Sequence, residues 1–209
     1  MVYIINVIKI DNSSYPLNKE NYYDKVSSKK QIVIGHSFTD DMTHYIGWKT
    51  RYNGKYKKNS SFTIDVDGKI YQHYNPKYYS DFLNIEGVDE GVIGVTLINK
   101  GWLMKNMKTN MFFDYLNRPV LNIDVVNKKW RGHNYWSPYS KEQIESLTKL
   151  CRYLSKNYGV ELQTLGHNTK TNGVYDYNGI VFRSNYMKEY TDLSPAFDFV
   201  EFKNKLKKK

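Results

Sequence analysis

Cysteine is nearly absent from this chain. Cys151 stands alone in 209 residues, which excludes an intramolecular disulfide and predicts folding in a reducing compartment. Its neighbours Leu147, Leu150 and Leu154 mark it as a small core residue. Long apolar runs are missing too. Residues 1–10 are apolar but too short to span a bilayer, and they lack the basic start and small-residue cleavage site of an export signal. They read as a first strand, in a product made in the cytoplasm without a membrane span. Internal repeats and low-complexity segments are lacking, so one domain is expected rather than an array. No helix-turn-helix, finger or RNP-type motif occurs, which argues against nucleic acid as a partner. Acidic residues are in deficit, 21 against 31 Lys and Arg, for a formal charge of +10. That balance favours polyanions, among them anionic wall polymers.

What the chain does have is apolar and aromatic material. Hydrophobic residues make up 40% and aromatics 16%, with 20 tyrosines, a composition that belongs to folded globules. Residues 1–30 read as an N-terminal strand and polar connector, 31–202 as the main domain, and 203–209 as a basic, frayed tail built on Lys203, Lys205, Lys207, Lys208 and Lys209.

Within the main domain, Gln31-Ile32-Val33-Ile34-Gly35-His36-Ser37 reads as a buried strand. Thr39 is the expected cap of a helix through Tyr45 or Trp48. Phe62, Ile64 and Val66 alternate before Asp67-Gly68, the pattern of a hairpin with a two-residue turn. Residues 92–99 read as a central strand. Residues 102–136 are aromatic and irregular and receive no assignment. Ser140 with Gln143 predicts a capping box, followed by an apolar stripe of Ile144, Leu147, Cys151, Leu154 and Tyr158 and a stop at Gly159. A strand over 160–165 is expected next. The sum is an α/β domain, a central mixed sheet flanked by helices.

The candidate chemistry lies late in the chain. The 160–165 strand delivers His167 at its end, and a later loop delivers Asp192 just ahead of Pro195. Imidazole and carboxylate at one point suit zinc, but a catalytic zinc takes three protein ligands and a water, so a third must come from elsewhere.

The order of these pieces resembles the zinc-dependent N-acetylmuramoyl-L-alanine amidases of the type 2 class, relatives of the peptidoglycan recognition proteins and phage amidases. The resemblance spans residues 31–199 and rests on the 62–72 hairpin, Ser137-Pro138-Tyr139-Ser140-Lys141-Glu142-Gln143, Gly166-His167 and Asp192-Leu193-Ser194-Pro195-Ala196-Phe197. It implies that fold, a zinc ion, and His167 and Asp192 as two ligands. Gly35 occupies the slot of the first ligand, with His36 one residue later; either a bulge at Gly35 re-aims His36 or the site lacks that ligand. Thr96 stands where many members carry a glutamate, and Ser60 and Ser61 where a tyrosine or histidine is usual. Tyr190, with Thr191 and Lys188 beside it, matches the oxyanion-stabilising slot. Glu86, Asp89 and Glu90 are the acids near enough in sequence to be weighed as a base.

Two functions follow from the resemblance. One is a zinc amidase cutting between N-acetylmuramic acid and L-alanine in peptidoglycan, as a phage lysin or virion-associated wall hydrolase. The other is an inactive descendant that binds cell wall or assembles with other virion proteins.

Overall fold

In the computed structural model, which describes residues 8–121 and 123–207, short strands and helices alternate along the chain. In order they are β1 (Ile10–Asp11), β2 (Gln31–His36), α1 (Thr43–Gly54), β3 (Phe62–Ile64), β4 (Ile70–Gln72), β5 (Val92–Leu97), β6 (Trp102–Lys105), β7 (Phe112–Phe113) and β8 (Pro119–Val120). There follow β9 (Val126–Trp130), β10 (His133–Trp136), α2 (Lys141–Tyr158), β11 (Gly179–Phe182), α3 (Arg183–Tyr186) and α4 (Phe199–Lys207).

The central sheet has the order β1-β4-β3-β5-β2-β11. Its core strands β3, β5, β2 and β11 run parallel, and β4 joins β3 antiparallel. Side chains alternate between faces along each strand. One face presents Ile32, Ile34, Phe62, Ile64, Ile93, Val95, Leu97, Ile180 and Phe182, all buried against the stripe of α2 and against Phe202 and Leu206 of α4. Each such large side chain contributes roughly 1.5–3 kcal/mol through burial. The opposite face presents Val33, Val92 and Val181, covered by Phe82, Leu83 and Tyr186. This is the expected single α/β domain with a mixed sheet.

Helix α2 forms as its sequence dictates. The Ser140 side chain accepts from the Gln143 N–H at 3.0 Å, the Gln143 side chain accepts from the Ser140 N–H at 3.2 Å, and Gly159 closes the helix at φ 72°. Gln143 also donates to Ile98 O at 2.8 Å, stitching the first turn to the sheet.

Elsewhere the structure corrects the reading. The hairpin is wider than a two-residue turn: Asp65 N–H bonds Lys69 O at 2.9 Å, leaving 66–68 as a three-residue loop with Gly68 at φ 83°. Val66 is consequently exposed. Helix α1 starts at Thr43, where the Asp41 carboxylate accepts the Thr43 N–H at 2.8 Å, while Thr39 Oγ1 donates to Asp41 O. Residues 160–165 make a single bridge, Thr164 to Ile180, rather than a ladder. Glu161, Leu162 and Gln163 are exposed there, so the segment is a polar fringe of the sheet.

The unassigned 102–136 stretch is a second, antiparallel sheet in the order β8-β7-β6-β10-β9. Arg131 and Gly132, at φ 45° and 83°, form the two-residue loop between β9 and β10, a conformation that favours glycine or asparagine. Trp102 stacks on His133 with ring centroids 4.4 Å apart. The frayed tail is in part a helix: Lys203, Lys205 and Lys207 lie in α4, whose Phe202 and Leu206 are buried. Most of the expected first strand, residues 1–7, lies outside the described residues. Among the described residues no helix is long and apolar enough to cross a membrane.

Candidate functional site

Strand β2 pairs with β5 in unbroken register from Gln31–Val92 to His36–Leu97. There is no bulge at Gly35, so strict alternation governs the strand end. His36 falls on the face of Ile32 and Ile34, and Gly35 on the other. The alternative in which a bulge re-aims His36 is thereby corrected. His36 is 3% exposed, and its Nδ1 lies 2.8 Å from the Tyr139 hydroxyl. That hydroxyl oxygen also accepts the Ser194 N–H at 3.4 Å. Nε2 is buried with no partner. Burial pushes His36 down to about 4, so the ring is neutral at pH 7.

On the opposite face, β11 runs beside β2 with Phe182 against Ile34, which brings the next residue, Arg183, alongside Gly35. A Cβ at position 35 would meet Asp192 Oδ2 at 2.5 Å and Arg183 Cδ at 2.6 Å. Only glycine leaves room for that pair. Arg183 Nη1 lies 3.3 Å from Asp192 Oδ2, with side chains 21% and 1% exposed. Asp192 Oδ2 also accepts the His36 backbone N–H at 3.3 Å. The guanidinium lies over the Tyr190 ring, 4.1 Å from its centroid. Burial acts against the charge, yet Asp192 and Tyr190 hold Arg183 above the ordinary arginine range.

His167 is placed differently again. Its Nε2 bonds the Leu193 carbonyl at 3.1 Å, which as a pure acceptor fixes the proton on that nitrogen. The ring stacks on Phe199 at 5.5 Å and tilts against Phe182 and Phe197. Burial pushes it down to about 4.

The three expected ligands therefore serve three purposes. His36 bonds Tyr139, His167 bonds a backbone carbonyl, and Asp192 bonds an arginine. Among the described residues no three His, Cys, Asp or Glu side chains form a group that could hold a metal ion. A zinc ion does not fit this arrangement, because the three side chains do not converge on one point and one oxygen of the carboxylate already faces a guanidinium.

The other candidates are equally specific. Tyr190 donates to Leu83 O at 3.3 Å, and Lys188 is exposed on the surface. Asp89 is 5% exposed and accepts the Leu83 and Ile85 N–H groups at 2.8 and 2.9 Å. Burial pushes it up to about 6. It is a loop staple, while Glu86 and Glu90 are exposed. Thr96 Oγ1 donates to Ser60 Oγ at 2.8 Å, and Ser60 to Phe62 O. No carboxylate stands there.

Sequence reading missed two groups. Arg183 is one; its signal was the apolar run Gly179-Ile180-Val181-Phe182 with a cation at the next outward position. The other is a buried chain of polar groups on the Gly35 side. His73 Nδ1 donates to Tyr15 O at 2.7 Å, so its Nε2 accepts from Thr63 Oγ1 at 2.8 Å, and Thr63 lies 3.3 Å from His44 Nε2. Above this chain opens a cleft of about 540 Å³, whose lining includes His44, Trp48, Lys58, Phe82, Arg183 and Tyr190. A second hollow of about 660 Å³ shares Phe38, His44 and Trp48 and continues to Arg51, Trp102 and Arg118.

Solved structures with this fold include the N-acetylmuramoyl-L-alanine amidase LysC from Clostridium intestinale, with a TM-score of 0.51, 17% identity, and 96% of this chain and 99% of that chain covered. A mutant endolysin from Bacillus subtilis gives 0.55, 12%, and 95% and 99%. The E. coli amidase AmiD, in complex with anhydro-N-acetylmuramic acid-L-Ala-D-gamma-Glu-L-Lys, gives 0.56, 15%, and 91% and 65%. At these identities the likeness is one of fold. No curated protein sequence matches the chain. The N-acetylmuramoyl-L-alanine amidase family model matches residues 26–176, well over half of the sequence, so the chain belongs to the N-acetylmuramoyl-L-alanine amidase family.

Proposed function

We propose that this chain is a peptidoglycan-directed module that uses the amidase cleft to hold muramyl-peptide without a three-ligand zinc centre. Family membership supports peptidoglycan as the partner. One observation carries the loss of the metal: Gly35 faces the cleft with no side chain to offer, and Arg183 fills the space beside Asp192. The cleft supplies what a glycan-peptide ligand needs, aromatic groups at Trp48, Phe82 and Tyr190 and cationic groups at Lys58 and Arg183. The endolysins among the similar folds support a phage setting, as a lysis or virion-associated protein.

The test is co-sedimentation with purified peptidoglycan, followed by an assay for newly freed L-alanine amino groups. Retention in the pellet without amine release is expected. Amine release that chelator abolishes would favour the second reading, a zinc amidase, for which family membership and the presence of His167 and Asp192 speak. A chain left wholly in the supernatant at low salt would refute both.

A further inference from the structure

The geometry points to Arg183 as the resident cation of this site, a guanidinium standing where Asp192 would otherwise hold a metal and closing the site to divalent ions. The inference deepens the reading of a metal-free cleft and rests on it, but it makes separate demands on the molecule.

Four observations converge. Asp192 is 1% exposed, and a buried carboxylate is strongly disfavoured unless a cation faces it. Among the described residues the cation in ion-pair contact with it is Arg183, through Oδ2 at 3.3 Å, with the Arg131 guanidinium adding a further attraction. Its other oxygen, Oδ1, is buried without a hydrogen-bond partner, so the arginine is the main compensation for the charge. The position that would bring a further ligand, residue 35, is glycine, and the volume of a side chain there is taken by Arg183 Cδ and Asp192 Oδ2. Lastly, Arg183 is held in place from behind: its guanidinium rests on Tyr190 and faces Phe82 at 5.5 Å. A planar guanidinium that stays charged at every working pH suits such a fixed role better than a lysine would. Glycine at 35 and arginine at 183 belong together, because the arginine takes space that a side chain at 35 would need.

Two measurements decide it. The unaltered chain is dialysed against excess zinc, desalted and submitted to elemental analysis. Far less than one zinc per chain is expected; one per chain, removed by Asp192→Asn, would overturn the proposal. Thermal midpoints are then compared for Arg183→Met, Asp192→Asn and the double variant. Arg183→Met is expected to lower the midpoint sharply, and adding Asp192→Asn to raise it again. Additive losses would mean that the two residues are not coupled, and the proposal would fall. Should Arg183→Met not fold, recovery of a folded double variant is the same coupling in stronger form. A double variant that also fails to fold would count against the pair as the main compensation. Neither measurement reads wall binding, so its failure is separate from failure of the proposed function.

Discussion

The two faces of the central sheet are made from the same strands and have opposite chemistry. Facing α2 and α4, alternate residues of β2, β3, β5 and β11 are Ile, Val, Leu and Phe, apart from His36 at the end of β2, and are almost wholly buried. Facing the cleft, the residues between them include Gly35, Thr63, Gly94 and Thr96, with imidazoles, an ion pair and hydroxyls above. The apolar face is held by shape and burial, and nearby alternatives of similar volume would serve it. The cleft face is held by named hydrogen bonds, in which each group has a fixed role.

That contrast can be broken experimentally. The largest effect is expected from Phe62→Ala on the apolar face, about 3–5 kcal/mol of unfolding free energy by urea titration. On the cleft face, Gly35→Ala adds only one carbon, yet it collides with Asp192 and Arg183; overpacking of this kind costs about 1–3 kcal/mol. A loss as small as that of an exposed substitution would show that the pair is mobile.

The imidazole chain of the cleft face gives a pH signature, to which His36 and His167 add from the apolar side. Burial pushes His73 down to about 3, while the unfolded chain takes up the proton near the ordinary histidine value. The folded-state value is the lower one, so stability is fully present above about pH 6.5 and is lost as pH falls towards 3. By pH 5 His73 alone removes about 2 kcal/mol, and His73→Gln is expected to make the fall of the thermal midpoint across that range shallower, with His36, His44 and His167 supplying the remainder. The smallest effect is at the start of α2, where Ser140→Ala removes one half of the capping box and costs about 1 kcal/mol.

The same contrast explains what could be read in advance. The apolar face and α2 were legible because hydrophobic period and capping chemistry are local: Ile144, Leu147, Cys151 and Leu154 announce their stripe without reference to the rest of the chain. The presence of Gly35 where a ligand belongs was legible too. The outcome was not, since it depends on Arg183, a residue distant in sequence that only the β2–β11 register brings alongside. The second sheet escaped for another reason. Its strands are as short as two residues, too brief to show a period, and its tight loop uses Arg131-Gly132 rather than an asparagine–glycine pair.

Arg131 has a wider consequence. From the tip of the β9–β10 hairpin its guanidinium donates to the carbonyls of Ser184 at 3.0 Å, Met187 at 2.9 Å and Tyr190. The rim of the cleft is thus tethered at several points to a sheet that otherwise stands apart from it in sequence. Three carbonyls on one guanidinium make the hairpin tip a brace for the rim, so the outline of the opening depends on a residue that lies outside the central sheet.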